Sequence, residues 1–126
     1  MERADRLEAR RGDWTDGEPL LLVATCERCG QQRYLPRLRC PVCGGEEATD
    51  APASGRGLCV AATRLHAAAT TDGEEVRLVL VELDEGPVVM GRAHDDTLAP
   101  GDRARLSFRD DGRDGALVPS FAAERP

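Results

Sequence analysis

The residues with the clearest capacity for chemistry are four cysteines arranged as two identical pairs. Each pair encloses two residues and is followed by glycine, and the pairs are Cys26 with Cys29 and Cys40 with Cys43. A two-residue gap lets both thiolates of a pair reach one ion, and the glycine permits the left-handed conformation that closes the loop. Four sulfurs in a tetrahedron leave no open position for water, so the pattern predicts a structural zinc site. Iron is the main competitor, because a tetrahedral four-sulfur site accepts either metal.

Paired cysteines can also form two disulfides or a redox dithiol. The N-terminal residues carry charges of both signs and no apolar run, which is unlike a secretory signal. The apolar runs are also too short to span a bilayer. We therefore expect a cytoplasmic protein with reduced thiols, where a duplicated pair favours metal binding over disulfides.

The other candidates for chemistry are isolated residues. Cys59 lies in an apolar stretch without a paired histidine, which favours a buried structural thiol. His66 and His94, the only histidines in the sequence, fall in different elements and outside any nucleophile motif. We expect both to be surface or packed side chains. A stand-alone enzyme that uses one of them is the weakest of three hypotheses about function.

The chain has no lysine, so its 17 Lys-or-Arg positions are all arginine, and several of them crowd the cysteine module. Their simplest role is to keep the surface soluble. The functional interpretation is a docking patch for an acidic partner, or for the phosphates of a ligand such as coenzyme A. The residues of this candidate patch are Arg28, Arg33, Tyr34, Arg37 and Arg39, with Leu35 beside Tyr34.

Short elements must hold the cysteine pairs in place. Residues 1–19 are polar, and a short helix over Arg3–Arg11 is one interpretation of them. Leu20–Thr25 is a candidate strand that leads into the first pair, so we predict a zinc ribbon over 20–50. Gly44–Gly57 is rich in Gly, Ala, Pro and acidic residues, which predicts a linker.

Beyond the linker, the pattern predicts five strands over 55–123, spaced as in a small barrel. The first, Leu58–Ala69, is either a curled strand or an Ala-rich helix. The second, Val76–Leu83, is apolar on both faces from Leu78 to Val81, as a buried barrel strand would be. A strand over Val88–Gly91 follows. The chain is therefore predicted to be mainly β.

The last two predicted strands have local markers. Pro100-Gly101 suits a type II turn, and after it Ala104, Leu106 and Phe108 point to one side while arginines point to the other. Leu117–Phe121 is the final strand, and Pro119 places it at an edge or a bulge.

Net charge and aromatic content bear on one alternative function. Zinc ribbons and small barrels can bind single-stranded nucleic acid through basic grooves and aromatic stacking platforms. This chain has a net charge of −6 and only 3% aromatic residues. A nucleic-acid-binding module is therefore the second hypothesis rather than the first.

The ordered motifs resemble the zinc-ribbon plus OB-fold proteins that accompany thiolases. The resemblance covers about residues 20 to 123. Its motifs are Cys26-Glu-Arg-Cys29-Gly30, Tyr34-Leu35-Pro36-Arg37, Cys40-Pro41-Val42-Cys43-Gly44, Gly55-Arg56-Gly57, Gly101-Asp102 and Val118-Pro119-Ser120-Phe121. The ribbon motif occurs in many zinc proteins, but the ordered set is more specific.

The resemblance implies a fold and a role. The expected fold is an N-terminal rubredoxin-like zinc ribbon followed by a five-stranded OB-fold barrel. The expected role is a non-catalytic accessory subunit that binds a thiolase-like acyl-CoA enzyme and helps to form its acyl-CoA site. The partner would carry the catalytic residues, a MaoC-like hydratase is a further expected partner, and coenzyme A would lie at the interface.

Overall fold

The computed structural model describes residues 12–34, 37–65, 76–94, 97–110 and 116–124. It confirms the prediction of a mainly β chain. A 3-10 helix at Trp14–Asp16 precedes eight strands: β1 (Leu22–Cys26), β2 (Gln32–Arg33), β3 (Ala48–Pro52), β4 (Arg56–Leu65), β5 (Val76–Leu83), β6 (Val88–Ala93), β7 (Arg103–Asp110) and β8 (Leu117–Ala123). The helix predicted over Arg3–Arg11 lies outside the described residues.

The first three strands form an antiparallel sheet in the order β2-β1-β3. The interpretation of residues 44–57 as a linker is wrong, because strand β3 lies within this range. Its whole length pairs with β1, from Cys26 opposite Ala48 to Leu22 opposite Pro52. Its composition is poor in strand-forming residues. An edge strand tolerates this composition, because a proline at its end can lack a backbone N–H without breaking a hydrogen bond between strands.

Strands β4 to β8 form a closed barrel in the order β4-β5-β6-β8-β7, with β7 pairing back to β4. The described neighbours in this barrel are antiparallel except β6 and β8, which run parallel. This five-stranded topology confirms the OB-fold prediction. Strand β4 bulges between Cys59 and Ala61, which bends it around the barrel and shows that residues 58–65 are not helical.

One hydrophobic core joins the barrel to the ribbon sheet. Leu21, just before β1, and Val23, its second residue, pack into the same cluster as the inward-facing barrel residues. Those residues are Cys59, Val79, Val81, Leu83, Val89, Leu98, Ala104 and Phe121. Because the core is continuous, the ribbon is anchored to the barrel by apolar packing as well as by the chain.

Strand β5 has the predicted bounds but only one buried face. Val79 and Val81 are fully buried, whereas Leu80 between them is 38% exposed and lies on the outside of the barrel. The expectation that β5 is buried on both faces is therefore wrong. The apolar run from Leu78 to Val81 arises because the outward positions Leu78 and Leu80 are apolar as well.

The markers of the last two strands agree with the structure. The Ala99 carbonyl accepts a hydrogen bond from the Asp102 N–H at 3.0 Å, and Gly101 has a φ of +99°, as a type II turn requires. Along β7, Ala104 is buried while the arginines on either side are exposed. Pro119 pairs with β7, and pairing with β6 begins only at the next residue, which leaves Pro119 at an edge on that side.

Candidate metal centre

The four paired cysteines converge on one point of the ribbon. Their Sγ atoms all lie within 4.8 Å of one another, with Cys26 3.6 Å from Cys43 and Cys29 3.5 Å from Cys40. All four are free thiols, so the disulfide alternative does not describe this structure. Sulfurs bound to one tetrahedral zinc at about 2.3 Å would be about 3.8 Å apart. The donor set therefore fits a zinc ion in both chemistry and spacing.

The two halves of the cluster are built alike. Gly30 N–H donates to the Cys26 carbonyl at 2.9 Å, and Gly44 N–H donates to the Cys40 carbonyl at 2.9 Å. Gly30 and Gly44 have φ values of +81° and +78°, the left-handed conformation expected after each pair. Each loop thereby turns its two sulfurs toward the other loop.

Backbone N–H groups and crowding act on the thiols in opposite directions. The N–H groups of Cys29 and Arg28 lower the pKa of Cys26 to about 6. The N–H of Gln31 also lowers the pKa of Cys29, but desolvation and the neighbouring sulfurs outweigh it and raise that pKa to about 12. Four sulfurs this close cannot all ionise by themselves. A divalent cation is the kind of group that would let them do so.

Gly45 packs tightly against the cluster, a contact that the sequence interpretation missed. A Cβ at this position would lie 3.3 Å from the Sγ of Cys43 and 3.4 Å from that of Cys26. The Gly45 N–H also points at Cys43 Sγ, at 3.4 Å. The visible signal was the Gly-Gly dipeptide after the second pair, in which only the first glycine was assigned a role.

The candidate docking patch is divided between two places. Arg28 and Arg39 are exposed and line an open groove of about 590 Å³ beside the cluster. Three carboxylates share this groove, and Arg39 forms an ion pair with one of them, that of Glu46, at 3.2 Å. The groove is therefore mixed in charge rather than basic.

Arg33 and Tyr34 point elsewhere. Arg33 is only 6% exposed, and its three guanidinium nitrogens have no hydrogen-bond partner among the described residues. Tyr34 is half-buried against the core, where its hydroxyl accepts a hydrogen bond from Trp14 Nε1 at 3.0 Å. Burial raises the pKa of Tyr34. Arg37 is exposed, and Leu35 lies outside the described residues.

The remaining chemical candidates are not brought together. Cys59 is fully buried, as predicted, and burial raises the pKa of its thiol. His94 is exposed, with its Nε2 2.6 Å from Arg109 Nη2, and His66 lies outside the described residues. In the described part of the chain, the four cysteines are the one group of three or more Cys, His, Asp or Glu side chains placed to hold a metal.

Large apolar side chains are exposed mainly on one side of the barrel. Leu80 opposes Ala61 on β4 and Met90 on β6, and these strands enclose an apolar groove of about 310 Å³. We call this surface the β4–β6 outer face. Its exposed residues are Leu58, Val60, Leu65, Leu80, Val88 and Met90, and Val42 is the one other large apolar residue exposed in the described chain. An apolar groove of this kind on an exposed face is typical of an interaction site.

Comparisons with known proteins agree with this architecture. Residues 17–48 match the family model described as ChsH2, rubredoxin-like zinc ribbon domain. A chain of the solved structure described as "Ltp2-ChsH2(DUF35) aldolase" is similar over 98% of this chain and 96% of its own, with a TM-score of 0.74 and 22% identity. No curated protein sequence matches the chain.

A second solved structure has the same fold. It is a protein of unknown function from the DUF35 family of Sulfolobus solfataricus, similar over 96% of both chains with a TM-score of 0.59 and 13% identity. The fold and the four-cysteine cluster define the class: this chain is a zinc-ribbon plus OB-fold protein. Within that class it is similar to the DUF35 proteins, which confirms the resemblance seen in the sequence. None of the described helices has the length and hydrophobicity to cross a membrane.

Proposed function

We propose that this chain is a non-catalytic accessory subunit that binds a thiolase-like acyl-CoA enzyme. The observation that carries the proposal is the similarity, over nearly the whole chain, to a chain of the Ltp2-ChsH2(DUF35) aldolase structure. In that structure the same fold is part of an aldolase. The zinc-ribbon match over residues 17–48 supports the same assignment from the sequence side.

The surface of the barrel supports a binding role. Met90 is 58% exposed and Val88 48% exposed, on the β4–β6 outer face. Leaving large apolar side chains in water is unfavourable, and covering them in a complex recovers about 25 cal/mol for each Å² of apolar surface removed from water. An accessory subunit would cover this face with its partner.

We further propose that Cys26, Cys29, Cys40 and Cys43 are the ligands of one structural zinc ion. When bound, such an ion supplies folding stability rather than catalysis, since four protein sulfurs leave no position for substrate. These side chains would hold the two loops of the ribbon together at the end of β1. The same four sulfurs would also accept iron, so the identity of the metal is decided by analysis of the purified protein.

Two finer predictions remain proposals. A direct contact with coenzyme A would use Arg28 and Arg39, whose guanidinium groups would face its phosphates across the groove beside the cluster. The carboxylates in that groove weaken its attraction for phosphate, so we expect such a contact to require groups from the partner. A MaoC-like hydratase partner and a cytoplasmic location also stay predictions.

The nucleic-acid alternative loses support in the structure. The chain contains four aromatic residues, and none of them is exposed: Trp14, Tyr34 and Phe108 are partly buried, and Phe121 is fully buried. Base stacking requires an accessible ring. Together with the net charge of −6, this leaves no observation that favours a nucleic-acid-binding module.

Co-expression with a thiolase-like enzyme tests the accessory role. We expect the two proteins to co-purify, the enzyme to need the chain for full acyl-CoA turnover, and the chain alone to be inactive. Turnover by the isolated chain, or no complex with any thiolase-like enzyme of the same organism, would contradict the proposal.

Matched variants locate the interface. Met90→Arg puts a charge on the β4–β6 outer face, whereas Val42→Arg makes the same kind of change at an apolar residue that is 66% exposed in the ribbon. We expect Met90→Arg to weaken the complex at least about tenfold and Val42→Arg to leave it close to wild type. The reverse result would move the interface to the ribbon while keeping the accessory role.

A further inference from the structure

Arg33 is a buried cation without an acceptor. All three nitrogens of its guanidinium are shielded from solvent, and none has a hydrogen-bond partner among the described residues. Buried charges in proteins are normally paired, because an ion removed from water without a counter-charge is strongly unfavourable. Because native structures give nearly all buried polar groups a hydrogen-bond partner, a guanidinium left without one among the described residues needs a specific explanation.

The position of Arg33 in the ribbon sheet indicates where an acceptor could arrive. In the sheet order β2-β1-β3, strand β2 pairs with β1 on one side and has no described strand on the other. Arg33 opposes Ala24, and Ala24 opposes Asp50 on β3, so the three residues form one row on one face of the sheet. Because side chains alternate along a strand and Val23 packs into the core, this row lies on the face turned away from the core.

The protein's own acid in this row does not satisfy the arginine. Asp50 lies two strands away, beyond the short side chain of Ala24, and does not hydrogen-bond to the guanidinium. We propose that Arg33 binds a carboxylate of the partner enzyme. A segment of the partner that docks along the free edge of β2 would deliver this carboxylate. This inference rests on the proposed function, since it assumes that a partner exists.

A protein carboxylate fits this position better than a free anion does. The guanidinium fork binds a carboxylate through two parallel hydrogen bonds, which sets both distance and orientation. Reaching a shielded group requires the atoms that cover it to move. A protein interface buries enough surface to drive that movement, whereas a single small anion does not.

The test compares Arg33→Met, which keeps the length of the side chain but removes its charge, with the wild-type chain. The partner is the thiolase-like enzyme that co-purifies with the wild type, so the complex itself is established first. We expect Arg33→Met to weaken binding of this enzyme at least about tenfold. The thermal unfolding temperature of the free zinc-loaded chain should stay equal or rise, because an unpaired buried charge has been removed.

The control is Arg105→Met, which removes an exposed arginine from β7 and should change neither quantity. Arg33→Lys is a second test variant, for use if Arg33→Met fails to fold. Lysine keeps the charge but not the planar fork, so binding should weaken several-fold while the free chain unfolds as the wild type does.

Three results would overturn the inference. Wild-type binding by Arg33→Met, or by Arg33→Lys where only that variant folds, would show that no partner group reaches Arg33. A lower unfolding temperature for the free Arg33→Met chain would show that the arginine is already satisfied within the chain. Stabilisation of the wild type, but not of Arg33→Met, by millimolar inorganic phosphate would assign the group to a free anion instead.

Discussion

Gly91 is a position in the barrel core that has no room for a side chain. It lies on β6 opposite Val79, with the ring of Phe121 packed directly over it. A Cβ at Gly91 would lie 2.8 and 2.9 Å from two ring carbons of Phe121 and 2.9 Å from the Pro119 carbonyl oxygen. Carbon atoms in ordinary contact are about 3.5–4.0 Å apart, so the methyl group would be about 0.7 Å too close to the ring.

The cost of Gly91→Ala follows from two opposing effects. Overpacking a closed core typically costs about 1–3 kcal/mol, and we expect the upper part of that range because the ring and a backbone carbonyl are both in the way. Alanine also gives the unfolded chain less conformational entropy than glycine does, which stabilises the folded state by about 0.4–1 kcal/mol. The net loss in the free energy of unfolding is therefore about 1–2 kcal/mol, or roughly a 5–10 °C fall in Tm.

Urea denaturation and thermal unfolding of the zinc-loaded protein measure this loss. The matched background is Phe121→Leu, whose smaller side chain leaves room for the added methyl group. In a double-mutant cycle, Gly91→Ala should cost clearly less in the Phe121→Leu background than in the wild type. An unchanged stability for Gly91→Ala, or the same cost in both backgrounds, would show that the contact with the Phe121 ring is not what excludes a side chain here.

Three further predictions concern single groups. Cys43→Ser should lose zinc to a colorimetric chelator at a much lower chelator concentration than wild type, whereas Cys59→Ala should keep one zinc per chain. In the folded zinc-loaded protein, Cys59 should resist iodoacetamide at about pH 8, because burial raises its pKa and keeps the thiol neutral, and mass spectrometry after unfolding in urea should show it modified. Trp14→Phe should lower the free energy of unfolding by about 1 kcal/mol through loss of the 3.0 Å hydrogen bond to Tyr34, and should cost less in a Tyr34→Phe background.

Features that depend on neighbouring residues along the chain were predictable. The two cysteine loops close through contacts within five residues, so their spacing and glycines were sufficient to predict the cluster. The bounds of β5 and the alternation along β7 followed from patterns that repeat every two residues. Pro100-Gly101 likewise specified its turn, because proline and glycine restrict or permit φ by themselves.

Features that depend on segments far apart in the chain appeared only in the structure. Strand β3 forms because β1 is available to pair with it, which the composition of residues 48–52 does not indicate. The candidate docking patch divides because Arg33, the last residue of β2, is shielded on the side away from the core, whereas Tyr34, the residue after β2, packs against the core. The crowding of Gly91 by Phe121 arises where β6 and β8 meet in parallel.

The sequence by itself determined the metal-binding donor set, the mainly β character and the order of ribbon before barrel. Tertiary structure decided which apolar residues are buried and which form the β4–β6 outer face, since both sides of β5 are apolar in sequence. It also decided that Arg33 is shielded without an acceptor among the described residues. The physical reason is that spacing along the chain sets local geometry, whereas burial depends on which distant segments come to pack against each residue.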